Sequence, residues 1–176
     1  MWKILAKNLV LGPMTEPGPP AGEAALAELG ERLRQTGRAR LGRSLAIREV
    51  DAGSCNGCEL EIHALNNPFY DLERFGIRFV ASPRHADVLL VTGPVTANMR
   101  EALLRTYQAT PDPKWVVAVG ECAFNCGVFA GSYALAGRVA DVVPVDPHIR
   151  GCPPSPRELL QGLLALLETA ARPTVK

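Results

Sequence analysis

The sequence predicts an α/β fold in which helices cover both faces of a parallel β-sheet. Two segments, Ala86–Thr92 and Trp115–Val119, are almost entirely apolar, which is typical of central strands buried on both faces. Segments with a helical pattern separate the predicted strands, as in sheets whose parallel strands are joined by crossover helices. The 176 residues, 47% of them hydrophobic, suffice for one core but not comfortably for two.

Three further strands of the predicted sheet are less uniformly apolar. Leu45–Val50 is the first, Ile77–Ala81 is the second, and Val142–Val145 is a short late strand. In open parallel sheets, functional sites lie in the loops at the carboxyl ends of the strands. Functional residues are therefore expected directly after these segments.

Two helices are predicted from their sequence patterns. Asn98–Thr106 lies between the two most apolar strands, and Ser155–Ala170 is the last element. The last helix has a clear start, with Ser155 as N-cap, Pro156 at the first helical position and Glu158 as the partner of a capping box. One apolar face follows from its leucines, which are Leu159, Leu160, Leu163, Leu164 and Leu167.

Residues 1–43 are predicted to form an N-terminal arm, because their composition differs from the rest. Four prolines and two glycines within residues 12–20 indicate an extended segment, and Ala24–Leu33 is predicted as a short helix. Six arginines and no acidic residue lie between Arg32 and Arg48. Two interpretations stay open: a solvated basic linker, or an arm that lies on a partner subunit or an anionic membrane surface. The predicted domain then covers residues 44–172, with a tail at 173–176.

The composition argues against several classes of function. Nineteen basic and eighteen acidic residues give a net charge of +1, and aromatic residues are only 6%, so nucleic acid is not an expected partner. The sequence contains neither G-x-G-x-x-G after a strand nor a Walker-type G-K-[ST], which argues against a nucleotide site. No signal peptide or membrane-spanning run is recognised, which predicts a cytoplasmic chain with reduced thiols.

Five cysteines lie directly after predicted strands. Cys55 and Cys58 follow the first strand, Cys122 and Cys126 follow Trp115–Val119, and Cys152 follows the late strand. An odd number of cysteines fits a disulfide framework poorly, and metal ligands or catalytic thiols are expected instead. Because the three loops leave the same edge of the sheet, they can converge on one point.

The cysteine spacing favours an iron–sulfur cluster over the alternatives. A single C-x-x-C pair is followed by cysteines roughly 60 and 90 residues later, whereas structural zinc sites usually show two close pairs in a small module. A domain of this size does not need zinc in order to fold. A zinc site, a thiol redox site and unrelated buried cysteines all remain possible interpretations of the spacing alone.

Three motifs together resemble one family of proteins. They are CNGCELE at Cys55–Glu61, GEC at Gly120–Cys122 and GCPP at Gly151–Pro154. They are similar to the electron-transfer small subunit of group 4 membrane-bound nickel–iron hydrogenases, of the formate hydrogenlyase and hydrogenase-4 type. The homologous 20 kDa (B-type) subunit of respiratory complex I is also similar. Further segments that carry the resemblance, which covers roughly residues 45–165, are Phe69–Ile77, Ser82–Gly93 and Val142–Asp146.

The resemblance implies a flavodoxin-like three-layer sandwich that holds one 4Fe–4S cluster. Carried over position by position, the ligands would be Cys55, Cys58, Cys122 and Cys152. Complex I members typically have adjacent cysteines at the first pair, so the spaced pair favours the hydrogenase type. Glu61 matches a glutamate of complex I members, which suggests proton movement or redox tuning beside the cluster. The alternative for Glu61 is a purely structural carboxylate.

Other residues near the motifs are weighed individually. Cys126 departs from the family pattern, and a small buried hydrophobe is expected there rather than an alternative ligand or a redox-sensitive thiol. His63 and His85 are expected to be structural or surface residues, with a proton relay or ligand role as the alternative. The family pattern puts Arg84 near the cluster as a possible hydrogen-bond donor, and His148 is assigned no role.

The implied function is that of a redox subunit in a larger complex. Electrons would pass between a ferredoxin-like iron–sulfur subunit and a catalytic large subunit of nickel–iron or quinone type. Membrane subunits would join through the complex, which would place the chain peripherally on the inner face of the cell membrane. The alternatives are a complex I-type NADH/quinone oxidoreductase subunit, a zinc-stabilised binding module and a thiol oxidoreductase.

Overall fold

The computed structural model describes Lys7 and residues 22–169. Within residues 22–169 the helices are α1 (Gly22–Leu41), α2 (Gly57–Ala64), α3 (Ala97–Ala109), α4 (Glu121–Asn125) and α5 (Pro156–Thr169). The strands are β1 (Leu45–Asp51), β2 (Ile77–Phe79), β3 (Val88–Thr92), β4 (Val95–Thr96), β5 (Trp115–Val119), β6 (Leu135–Gly137) and β7 (His148–Ile149). Short 3₁₀ turns occur at Leu72–Phe75, Pro83–His85, Gly127–Phe129 and Val139–Asp141. No helix among the described residues is both long and apolar enough to span a membrane.

Five strands form one parallel sheet in the order β2-β1-β3-β5-β7. This is the flavodoxin-like order, in which the chain starts near the middle, builds one edge and then crosses to the other side. The strands β4 and β6 form a separate antiparallel pair. The predicted α/β fold with a parallel sheet is therefore confirmed.

Each face of the sheet carries its own hydrophobic core, as the apolar central strands require. In β3, Val88 and Leu90 contribute to one core, and Leu89 and Val91 contribute to the other. Helices α1, α2 and α5 cover the first face, and α3 and α4 cover the second. Because successive strand side chains point to opposite faces, an almost continuous apolar strand fits between two helical layers.

The last helix follows its predicted start signal closely. The Ser155 backbone N–H donates to a Glu158 carboxylate oxygen at 2.7 Å, and the Glu158 N–H donates to the Ser155 hydroxyl at 3.4 Å. These reciprocal bonds satisfy backbone donors that a helix start leaves unpaired. All five predicted leucines are buried.

The described part of the predicted arm differs from the expectation. Residues 22–41 form a single 20-residue helix, longer than the predicted Ala24–Leu33, and its Leu26 and Leu33 are buried in the core. Arg32 donates to the Glu168 carboxylate at 2.8 Å, which joins α1 to α5. This part of the arm is helical, as predicted for Ala24–Leu33, and it packs on the domain. The proline-rich segment and the tail at 173–176 lie outside the described residues.

The prediction of a strand at Val142–Val145 is wrong. Pro144 has no N–H for a strand ladder, and these residues form an irregular segment. The Asp146 carboxylate instead accepts from the Val116 N–H at 2.7 Å, while the Asp146 N–H donates to the Val116 carbonyl at 2.9 Å. The last strand of the sheet begins only at His148, which pairs with Ala118.

Candidate metal centre

The carboxyl edge of the sheet gathers four of the five cysteines. Cys55, Cys58, Cys122 and Cys152 leave the ends of β1, β5 and β7, and they line one cavity of about 80 Å³. Cys55 and Cys152 are exposed, whereas Cys58 and Cys122 are half-buried. The other residues that line the cavity are Ser54, Gly57, Gly93, Glu121, Gly151 and Pro153.

A tight turn positions the first cysteine pair. The Asp51 carboxylate accepts hydrogen bonds from the backbone N–H groups of Gly53 and Ser54, both at 2.8 Å. Asn56 then adopts a left-handed backbone conformation with φ 70°, and α2 begins at the next residue. Asparagine is one of the few side chains that tolerate this conformation. Reversal of the chain between the two cysteines brings both thiols to the same cavity.

Glycines allow the backbone to approach two of the sulfur atoms closely. A Cβ atom added to Gly120 would lie 2.7 Å from the Cys58 Sγ, and one added to Gly127 would lie 2.7 Å from the Cys122 Sγ. Both glycines have positive φ, at 84° and 49°. Only glycine fits such positions without displacing the sulfur.

Two thiols of the cavity, those of Cys58 and Cys122, resist ionisation in the absence of a compensating positive charge. Burial raises the pKa of Cys58 to about 12, and the neighbouring Glu59 and the other three thiols add to the effect. Burial also raises the pKa of Cys122, as do Cys152 and Cys55. A positively charged metal group reverses the balance, because it binds thiolates and displaces their protons.

The arrangement suits a group larger than a single ion. The cavity of about 80 Å³ is several times larger than the ~10–15 Å³ that one water molecule needs. Four thiols spread around such a space match an iron–sulfur cluster, in which separate irons take separate cysteines.

Cys126 lies beside the centre but does not line the cavity. It ends α4 with a left-handed backbone at φ 67°, and its N–H donates to the Cys122 carbonyl at 2.9 Å. The thiol is half-buried, in partial agreement with the expected small buried hydrophobe. It is close enough to Cys122 to help raise the pKa of that thiol, but it lies outside the cavity lining that the other four cysteines share.

Glu59, which follows Cys58, is more deeply buried than Glu61, the glutamate that was predicted to act. Glu61 is half-buried on α2 and does not line the cavity. Glu59 is 6% exposed, and neither of its carboxylate oxygens has a hydrogen-bond partner among the described residues. Sequence analysis missed Glu59, although its position three residues before the apolar Ile62 on a helix is a signal for the inward face.

Arg84 and His85 are far from the cysteine loops, contrary to the expectation from the family pattern. Both are exposed on the 3₁₀ turn that leads into the amino end of β3 at Val88. The five residues of β3 span roughly 16 Å, and the cavity lies beyond the opposite end. A hydrogen bond from Arg84 to the cluster surroundings is therefore not supported. His63 is exposed on α2.

Two contacts join the loops that carry Cys122 and Cys152. Arg150 donates to the Glu121 carboxylate at 3.0 Å, and this ion pair lowers the pKa of Glu121. His148 places its Nε2 2.9 Å from the Gly120 carbonyl oxygen and stacks on the Phe124 ring. Sequence analysis gave His148 no role. The signal for His148 was its spacing from Arg150. The two residues are two positions apart at the end of a strand, which puts both side chains on the same side of the chain.

The domain is flavodoxin-like, gathers four thiols in one cavity and has no phosphate-binding motif in its sequence. These features define the class of oxidoreductase subunits. The chain belongs to the family described as NADH ubiquinone oxidoreductase, 20 kDa subunit, whose model matches residues 55–166. The match covers more than half of the chain and spans all four cysteines of the cavity.

Known relatives agree with this family. Over 132 residues the chain is 48% identical to formate hydrogenlyase subunit 7 of Escherichia coli, covering 73% of this chain but only 52% of that protein. It is 47% identical to the probable membrane-bound hydrogenase subunit mbhJ of Pyrococcus furiosus, covering 75% of this chain and 79% of the relative. The chain thus spans about half the length of the first relative and most of the second. The predicted resemblance is confirmed.

A solved structure has the same fold. A chain of the membrane-bound sulfane sulfur reductase, an archaeal respiratory membrane complex, superimposes with a TM-score of 0.64 at 37% identity. The match covers 78% of this chain and 75% of that chain. The relatives named here are subunits of redox complexes.

Proposed function

We propose that this chain is the iron–sulfur electron-transfer subunit of a membrane-bound hydrogenase or hydrogenase-like complex. The observation that carries the proposal is the convergence of Cys55, Cys58, Cys122 and Cys152 on one cavity at the carboxyl edge of the sheet. These four cysteines are the proposed ligands of one 4Fe–4S cluster. When bound, such a cluster accepts and releases one electron at a time between a donor subunit and a catalytic large subunit.

The contribution of this chain is to hold the site and control its surroundings. The loops at Cys55, Cys122 and Cys152 are fixed by backbone hydrogen bonds such as that from the Glu121 N–H to the Gly151 carbonyl at 2.9 Å. A backbone hydrogen bond from Val128 reaches the Cys122 sulfur and favours its thiolate. Hydrogen bonds to the sulfur atoms of a cluster are one means by which a protein sets the reduction potential.

The face around the cavity is the proposed contact with the catalytic large subunit. Leu60, Phe124 and Val128 are 63%, 49% and 85% exposed, and each lies within six residues of Cys58 or Cys122. Exposed apolar side chains around a functional centre are typical of a surface that a partner covers. A ferredoxin-like subunit is the proposed electron donor, and the membrane subunits of the complex hold the chain at the inner face of the membrane.

The hydrogenase assignment is preferred to the complex I-type alternative. The spaced C-x-x-C pair at Cys55 and Cys58 and the names of two relatives at 47–48% identity support it. The family description supports the alternative, with a quinone-type large subunit as partner. Glu61 keeps its proposed part in proton movement or redox tuning, as a half-buried carboxylate on the helix that begins at the first cysteine pair.

Metal analysis of the anaerobically purified full-length chain, with its co-purifying partners, tests the cofactor. We expect about four irons and about four sulfides per chain and a broad absorption near roughly 400 nm that fades on reduction. A colourless, zinc-loaded protein would contradict the proposal and support the zinc-stabilised module.

Single Cys→Ser variants test the ligand assignment. Substitution of Cys55, Cys58, Cys122 or Cys152 should abolish or alter the cluster signal, because serine lacks the thiolate. Cys126→Ser is the matched control and should retain the iron content, because Cys126 does not line the cavity. Loss of the cluster in the Cys126 variant with retention in the Cys122 variant would reverse the assignment.

A further inference from the structure

His148 binds the segment that leads into Cys122. Its Nε2 lies 2.9 Å from the Gly120 carbonyl oxygen, and because that oxygen can only accept, the Nε2 carries the proton and donates. The imidazole ring stacks on Phe124 with ring centroids 4.5 Å apart and an angle of 15° between the planes. His148 therefore contacts the chain on both sides of Cys122, at the Gly120 carbonyl before it and at the Phe124 ring after it.

Gly120 is held at both of its backbone groups by the last strand. Its N–H donates to the Ile149 carbonyl at 2.8 Å, and its carbonyl accepts from His148. The strand thus supplies one backbone acceptor and one side-chain donor to a residue with a left-handed φ of 84°. Only the second of these contacts depends on the identity of a side chain.

The same glycine lies directly against a proposed cluster ligand. The position of a Cβ at Gly120 is 2.7 Å from the Cys58 Sγ, so the Gly120 backbone touches that sulfur. The peptide that follows joins Gly120 to Glu121, which lines the cavity. A peptide unit has a dipole of about 3.5 D, so its orientation beside the centre affects the local electrostatic potential.

We propose that His148 is a positioning residue whose hydrogen bond offsets the negative end of the Gly120 carbonyl beside the cavity and thereby tunes the reduction potential of the centre. This inference rests on the proposed iron–sulfur function. The Glu121 N–H still ties the same peptide to the Gly151 carbonyl at 2.9 Å, so the peptide stays in place without His148. The negative end of the Gly120 carbonyl then lacks the imidazole N–H that offsets it, which disfavours an added electron and makes the midpoint potential more negative.

Two matched substitutions separate the hydrogen bond from the ring packing. His148→Phe keeps a ring to stack on Phe124 but has no donor, and His148→Gln keeps a donor but has no ring. The full-length variants are purified anaerobically with their co-purifying partners, and a redox titration followed by electron paramagnetic resonance gives the midpoint potential and the line shape. We expect normal iron content in both, a more negative potential and an altered line shape for His148→Phe, and near wild-type values for His148→Gln.

Two results would overturn the role of His148. One is a His148→Phe variant with the wild-type potential and line shape, and the other is an equal shift in both variants, which would mean that only packing matters. If His148→Phe loses the cluster, then Phe124→Leu decides, since it removes the stack and keeps the hydrogen bond. An unchanged potential there supports the inference, and a shift overturns it. Absence of a cluster from the wild-type chain would instead refute the proposed function itself.

Discussion

At the scale of single residues, close contacts between the backbone and sulfur atoms determine the conformation of the cysteine loops. Gly127 has φ 49°, and its missing Cβ leaves the space that the Cys122 sulfur occupies. Gly131, four residues later, has φ 82° but nothing within 4 Å of an added Cβ. The two glycines therefore share the unusual backbone conformation and differ only in what surrounds them.

A pair of alanine substitutions uses this difference. Gly131→Ala should cost about 1–2 kcal/mol in free energy of unfolding, which is the cost of a left-handed conformation for a residue with a Cβ. Gly127→Ala should cost more and should also lower the iron content, because its Cβ displaces the Cys122 sulfur. Urea denaturation and iron analysis measure the two effects. Equal costs and equal iron content in both variants would show that the sulfur contact is unimportant.

At the scale of elements, helix α1 is part of the domain because its apolar face is buried against the first core. Leu33 is 1% exposed, and Phe75 packs against Gly30, where even a methyl group would clash with its ring. Ion pairing alone would hold the helix weakly, since the Arg32–Glu168 pair is exposed and such pairs contribute little. Burial of leucines is therefore the main reason why α1 stays on α5.

Truncation of a buried leucine tests this packing. Leu33→Ala should lower the free energy of unfolding by about 2–5 kcal/mol, the usual cost of a leucine-sized cavity in a core. Leu60→Ala removes the same atoms at a side chain that is 63% exposed and should cost well under 1 kcal/mol. Chemical denaturation of the two variants measures the difference. Similar values for both would contradict a packed α1.

At the scale of the whole molecule, the centre lies at one end of the sheet and opens at the surface. Cys55 and Cys152 are exposed, and the apolar Val128, whose backbone bonds to the Cys122 sulfur, is 85% exposed. Electron transfer needs a partner close to the centre, and burial of these thiols from water also requires a covering surface. Both requirements are met if a second subunit docks at the carboxyl edge.

A charge on this face should prevent assembly without unfolding the chain. Val128→Glu is expected to keep the iron content of the wild type and to reduce co-purification of the large subunit several-fold, because a buried unpaired carboxylate is costly at an interface. Ala102→Glu introduces the same charge on the exposed surface of α3, outside the arm, and should leave assembly unchanged. Affinity purification followed by quantification of the partner is the measurement. Assembly of both variants at wild-type levels would place the docking surface elsewhere.

The sequence by itself determined the fold class, the strands of the sheet centre and the set of cysteine loops. Apolar runs such as Trp115–Val119 are local patterns, and local patterns suffice to predict buried strands and the capped helix at Ser155. The family resemblance likewise depends on short motifs around Cys55, Cys122 and Cys152. These features could be predicted because each depends on neighbouring residues in the chain.

Only the tertiary structure decided which of these residues meet. It left Cys126 outside the cavity that the other four cysteines line, placed Arg84 at the far end of β3, and showed that Glu59 rather than Glu61 is the deeply buried carboxylate. It also brought His148 to Gly120, across 28 positions of the chain. Contacts of this kind depend on how distant segments pack, and a side chain's type and spacing do not contain that information.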